Sequence, residues 1–199
     1  NILNSNKKYG SNNKSESYKI EFVSANPTGP MHVGHSRGAI FGDVLANLLI
    51  FNGNTVVKEY YINDYGNQII NFTESVFYRL REIKLNEKFP KKDNLYPGEY
   101  VIDIAKNILK DHNNIVLNDF NKIFNMLSQE SLKHSMNLIK VDLKALGISH
   151  DNFVSEKSLV EKKLVEKAIQ NLRKKNFVEE GYLNPPKGEE NKDWKKTKR

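Results

Sequence analysis

Two histidines three residues apart, His32 and His35, flank Gly34 within the run Ala-Asn-Pro-Thr-Gly-Pro-Met-His-Val-Gly-His-Ser-Arg at positions 25–37. The run follows a strand-like segment, Tyr18 to Ser24, and leads into a helical pattern from Ser36 to Asn52. A helix start presents backbone N–H groups without internal partners, which suits an anion. Two imidazoles at that point add donors for a phosphate-rich ligand such as ATP. Their grip would tighten as negative charge redistributes at the α-phosphorus during nucleophilic attack. Gly34, without a Cβ, would let the backbone lie flat against an adenine ring. Pro27 and Pro30 stiffen the approach, and Gly29 permits a turn with φ > 0. The chemistry this points to is adenylyl or nucleotidyl transfer, in which the protein positions and stabilises without a covalent intermediate. A competing arrangement makes His32, His35 and Asp43 metal ligands. It needs a third ligand two turns up the helix, and no metal site is assigned.

The elements that must position these residues read as α/β first and mostly helical later. Ile20 and Phe22 alternate in the first strand. Ile40, Val44, Leu45, Leu48 and Leu49 recur at helical spacing before a Gly53 stop. Thr55 to Ile62 is a Val- and Tyr-rich second strand, completing a βαβ unit that opens a nucleotide-binding sheet, with ligands expected at its carboxyl edge. Asn67 to Leu85 and Glu99 to Lys110 read as helices around a charged connection, Lys88 to Pro97. Leu132, Met136, Ile139, Leu143 and Leu146 mark a helix stopped by Gly147. Val160, Leu164, Ala168 and Leu172 mark another on a Lys/Glu-rich segment, and Tyr182 to Arg199 reads as loop. The domain reading is accordingly 1–17 linker or tail of a missing N-terminal domain, 18–85 first βαβ part, 86–140 helical insertion, 141–183 return to the catalytic domain with a following helix, and 184–199 truncated loop.

Composition narrows the classes. At 199 residues, with 38% hydrophobic and 28% charged content, the chain can bury a real core. The absence of cysteine excludes disulfides, thiolate zinc sites and a cysteine nucleophile. No apolar run has transmembrane length and no signal peptide opens the chain, so the reading is cytoplasmic with no membrane partner. A formal charge of +7 favours polyanionic partners such as nucleic acid, although Lys- and Asn-rich usage also follows genomic base bias. Starting at Asn1 and stopping at Arg199, the sequence reads as an internal piece of a longer protein.

Glu21 to Arg37 closely resembles the signature region of bacterial-type arginyl-tRNA synthetases, where H-x-G-H is the first ATP-binding signature of class I enzymes. The resemblance continues through Gly38, Gly42-Asp43, Tyr60 to Gln68 and Tyr96-Pro97-Gly98-Glu99-Tyr100. It returns in Leu146-Gly147-Ile148 to Ser155-Glu156 and in Tyr182 to Trp194. It implies an α/β fold class, the first half of a class I synthetase Rossmann-like nucleotide-binding domain with a largely helical insertion. It implies an arginine–tRNA ligase as parent, joining L-arginine to ATP as arginyl-adenylate and passing arginine to tRNA(Arg). ATP is then a substrate with Mg2+ carried by its phosphates and water, there is no tightly bound cofactor, and the full-length protein is a monomer.

Residue by residue, the resemblance assigns Thr28, Gly29, His32, Gly34 and His35 to ATP, with the two histidines catalytic. Glu21 and Asn26 fall to the substrate arginine, near its guanidinium and α-amino group. A carboxylate at a strand end does suit a guanidinium in a bidentate pair. Asn63, Asp64, Gly66, Asn67 and Gln68 are expected in the pocket wall. Two departures stand out. His150 replaces a usual aromatic before Asp151, and the second class I signature, a Lys-Met-Ser-Lys-type loop, is absent, since Lys195-Lys196-Thr197-Lys198 is only a lysine run. The fragment alone is therefore expected to be inactive. Two other readings remain: an H-x-G-H nucleotidylyltransferase acting on a small cofactor precursor, and a non-catalytic RNA-binding module suggested by the charge.

Overall fold

The computed structural model describes residues 4, 8–11, 15–179, 181 and 182. The expected loop at 184–199, including the lysine run, lies outside the described residues, as does part of 1–17. Three parallel strands, β1 (Ser17–Glu21), β2 (Thr55–Ile62) and β3 (Asn152–Ser155), form a sheet in the order β1-β2-β3. Ile20 lies opposite Lys58 and Tyr60 opposite Phe153. β1 is shorter than the expected 18–24 strand because the chain turns away after Glu21. β3 was not anticipated. Its four residues carry little pattern of their own, and β2 supplies the pairing from about ninety residues upstream.

Helix α1 (Val33–Phe51) connects β1 to β2. Its packing reverses the expectation from hydrophobic spacing. Ala39, Gly42 and Ala46 are the buried positions, while Ile40, Phe41, Val44, Leu45 and Leu48 are exposed. Small residues are what the sheet accepts: a Cβ on Gly42 would fall 2.3 Å from the Phe22 ring.

Between β2 and β3 run α2 (Asn67–Leu85), α3 (Glu99–Asp111) and α4 (Phe120–Ala145). Phe72, Val76 and Leu80 of α2, Val101, Ile104 and Ile108 of α3 and Leu127 of α4 share one core. A second core beneath the sheet joins Phe22, Ala25, Ala39 and Tyr60 to Met136, Ile139 and Leu143 of α4. At 26 residues, or about 39 Å at 1.5 Å per residue, α4 is long enough to serve both cores, and it begins twelve residues before the expected Leu132.

By internal contacts the chain divides into two compact units, 1–157 and 158–199. The helix expected across 160–172 is two helices, α5 (Glu156–Glu161) and α6 (Leu164–Lys174), parted at Lys163 with φ 54°. Neither has a buried residue. No helix among the described residues is long and apolar enough to cross a membrane.

Candidate active site

The segment from β1 to α1 is held under strain and then pinned at three backbone groups. Val23 (φ 67°) and Ser24 (φ 42°) both occupy the left-handed region, which a β-branched residue adopts only when its surroundings over-determine it. Ser24 supplies part of that constraint. Its hydroxyl donates to the Glu21 carboxylate and accepts the Tyr61 N–H at 3.0 Å. Beyond the turn, the fully buried Tyr60 donates its hydroxyl to the Ala25 carbonyl at 2.8 Å. Tyr100 of α3 donates to the Thr28 carbonyl at 2.8 Å. The Met31 N–H donates to Asp142 of α4 at 3.3 Å. Burial raises the pKa of both tyrosines, that of Tyr100 to about 12, so each stays a hydroxyl donor at neutral pH. β2, α3 and α4 thus each fix one point of the loop that delivers the histidines.

α1 begins at Val33, three residues before the expected Ser36, because His32 is its N-cap. The His32 Nδ1 accepts the Gly34 N–H at 3.1 Å, and the His35 Nδ1 accepts the His32 N–H at 3.3 Å. The two rings stack with centroids 3.7 Å apart. An imidazole whose Nδ1 accepts carries its proton on Nε2. Both rings therefore keep an Nε2–H donor while the Nδ1 atoms organise the helix start. Desolvation lowers the His35 pKa, with a smaller contribution from His32, which favours its neutral form. This corrects the expectation that the first amides stand free, since the Gly34 N–H is taken by His32. It also gives Gly34 a second reason: a Cβ there would lie 2.9 Å from the His32 ring.

The other expected residues divide into groups. Asn26 donates to Gln68 at 2.9 Å and accepts from Asn63 at 3.1 Å, so these three form one chain of amides. Asn26, Thr28, Gly29 and His35 line a common cavity of about 330 Å³ with Pro30, Tyr96 and Tyr100. Glu21, at the exposed end of β1, is engaged by Ser24.

Asp64, Gly66 and Asn67 are not part of that wall. They line a separate cavity of about 440 Å³ with Ile69, Ile70 and Phe124. Both Asp64 oxygens are occupied at the start of α5, accepting from Ser155 at 2.6 Å and from the Lys157 N–H at 2.8 Å. Asp43 is likewise removed from the histidines, because it pairs with Lys58 at 2.6 Å. Asp111, Glu130 and His134 bring donor atoms within 4.8 Å of one another in the helical part, where Glu130 also pairs with Lys133 at 2.9 Å.

Sequence reasoning did not assign Tyr60, Tyr96, Tyr100 or Asp142 to the site. For Tyr96 and Tyr100 a signal existed in the Tyr-Pro-Gly-x-Tyr run at 96–100. Asp142 gives none, being one of many charged residues on a helix surface. Where an aromatic was expected, His150 stacks in its place, 4.3 Å from Phe22 and edge-on to Tyr60 at 5.3 Å.

A family model described as tRNA synthetases class I (R), catalytic domain, matches residues 1–182. The chain is 53% identical over 196 residues to an arginine–tRNA ligase of Pelagibacter ubique, covering 97% of this chain and 34% of the relative. It is 49% identical over 177 residues to an arginine–tRNA ligase of Ehrlichia ruminantium, covering 88% of this chain and 31% of the relative. The chain thus spans about a third of the length of these relatives. A Campylobacter jejuni crystal structure, provisionally described as an arginyl-tRNA synthetase, superposes with a TM-score of 0.79 at 31% identity, over 92% of this chain and 41% of that one. The arginyl-tRNA synthetase of Thermus thermophilus shares the fold, with a TM-score of 0.56 at 21% identity over 89% of this chain and 29% of that one.

Proposed function

Since the chain belongs to the class I (R) tRNA synthetase catalytic-domain family, we propose that it forms the ATP-facing half of the active site of an arginine–tRNA ligase. In the adenylation step a carboxylate oxygen of arginine attacks the α-phosphorus of MgATP, and pyrophosphate leaves as the mixed anhydride forms. A ribose hydroxyl of the terminal adenosine of tRNA(Arg) then attacks the arginyl carbonyl, and AMP leaves. The observation that carries this reading is the reciprocal capping of His32 and His35. It aims two preorganised Nε2–H donors from a helix N-terminus, and preorganised donors act where charge develops in the transition state.

Asn26, held by Gln68 and Asn63, and Glu21 are assigned to the arginine side. Thr28, Gly29 and Gly34 belong to the nucleotide side. The donors around the histidine loop are N–H and imidazole groups suited to phosphates, so Mg2+ arrives on ATP, held by phosphate oxygens and water. The remaining arginine contacts and the second ATP signature fall to the rest of the parent protein.

The test is isotope exchange between ATP and pyrophosphate in the full-length protein, with arginine and tRNA(Arg) present. Exchange that requires arginine is expected. Exchange driven by lysine, by glutamate or by a phosphorylated small molecule in place of arginine would refute the assignment. Robust turnover by residues 1–199 alone would refute the division of labour.

A further inference from the structure

Besides Gln68 and Asp142, the helical segment between β2 and β3 sends the aromatic side chain of Tyr100 to the histidine loop, and three positions are given over to that contact. The Tyr100 hydroxyl bonds the Thr28 carbonyl at 2.8 Å, across 72 residues of sequence. A Cβ on Gly29 would lie 3.2 Å from Tyr100, and one on Gly98 would lie 2.5 Å from the same ring. Both glycines therefore make room for this tyrosine. The turn that delivers it is fixed in its own right. The buried Arg79 of α2 donates to the Pro97 carbonyl at 2.7 Å and lies over the Phe89 ring at 3.9 Å. The Tyr96 N–H donates to the Ser75 hydroxyl at 2.9 Å.

We infer that Tyr100 is a positioning residue for adenylate formation. By holding the Thr28 carbonyl it sets the path of the loop from which His32 and His35 enter α1. The inference rests on the reading given under Proposed function. Thr28 lies midway between the Ala25 anchor and the His32 cap, with Pro27 and Pro30 on either side, so a displacement there passes stiffly to the histidines. Tyr100 and His35 also line the same cavity. Pinning by Tyr60 under the sheet secures the fold of the loop base. Pinning by Tyr100 secures its outer part, where a shift of about 1 Å can cost on the order of a hundredfold in rate.

The test is Tyr100→Phe in the full-length protein, which removes the hydroxyl and keeps the ring. Arginine-dependent exchange gives kcat and the KM for arginine, and single-turnover adenylate formation counts competent sites. The expected result is a fall in kcat per competent site of about tenfold or more, with the arginine KM within about twofold because Asn26 is held by Asn63 and Gln68 instead. An unchanged kcat per site would overturn the inference. So would a loss confined to the number of competent sites, complete loss included, since that marks a residue needed for folding and not for placement. If the unsubstituted protein shows no arginine-dependent exchange, the underlying function falls first, whatever the variant does.

Discussion

His32 and His35 each give Nδ1 to a backbone N–H at the start of the same helix, with their rings stacked 3.7 Å apart. Capping thus occupies one nitrogen of each ring and leaves the other for the ligand donation proposed above, and substitution can separate them. Asn is a good N-cap and Gln at the third helical position completes a capping box, yet neither places a donor where Nε2–H lies. His32→Asn and His35→Gln should keep stability within about 1 kcal/mol while lowering arginine-dependent exchange by about a hundredfold. Urea unfolding and exchange measured on the same preparations check this. A variant that loses both in proportion would show that the histidines serve the helix alone.

Gly38 and Gly42 lie one turn apart on α1 and should respond oppositely to alanine. A Cβ at Gly38 meets nothing within 4 Å, and Ala is favoured over Gly inside a helix by about 1 kcal/mol. A Cβ at Gly42 would strike Phe22 at 2.3 Å, and overpacking of this kind costs about 1–3 kcal/mol. Gly38→Ala should raise the urea midpoint and Gly42→Ala should lower it. Equal shifts would mean that α1 does not pack on Phe22 as described.

The glycine contrast shows where the sequence is legible and where it is not. β2 and α2 have the limits read from the sequence, and in α2 the apolar residues Ile69, Phe72, Val76 and Leu80 recur at the helical spacing of its buried face. In α1 the strongest hydrophobic spacing marks residues that are exposed, and the contact surface is made by Ala39, Gly42 and Ala46, which carry almost no hydrophobic signal. The histidine pair was visible in the sequence as a motif because its residues and their reciprocal caps are local. Its anchors were not, since Tyr100 and Asp142 lie 72 and 111 residues from the groups they hold. The partners of Asp64 were hidden for the same reason, since Ser155 and the Lys157 N–H lie more than ninety residues later.

His150 gives the fold a dependence on pH. Desolvation among Phe22, Tyr60 and Phe153 lowers its pKa below the ordinary histidine value, only partly opposed by the backbone at Phe22 and by Asp43 and Asp151. In the unfolded chain it titrates near pH 6.5. Between that pH and the lowered folded value the unfolded state binds the extra proton, so stability falls as pH falls through this window and is fully present above it. His150→Phe keeps an aromatic ring and removes two buried nitrogens that lack well-formed hydrogen bonds. It should raise the urea midpoint at pH 7 and raise it further at pH 5.5. A difference that does not widen on acidification would place the sensitivity elsewhere.

Beneath α1, Lys58 and Asp43 form an ion pair at 2.6 Å with most of each side chain out of solvent. Asn47 completes the set, donating to Asp43 at 2.8 Å and accepting from Lys58 at 3.0 Å. The backbone of Lys58 is also bound by Asp151, whose carboxylate accepts the Lys58 N–H at 2.8 Å and whose N–H donates to the Lys58 carbonyl at 2.9 Å. Removing one partner of such a pair leaves an uncompensated charge and typically costs about 3–5 kcal/mol, whereas replacing both by well-packed groups can be neutral. Lys58→Met should therefore destabilise strongly through Asp43, while the backbone ladder through Asp151 survives. Adding Asp43→Leu to Lys58→Met should restore much of the loss, because the cost lies in the stranded carboxylate. A double-mutant cycle read by urea unfolding distinguishes the outcomes. Additive losses would mean that each side chain contributes by packing alone, with no coupling between the charges.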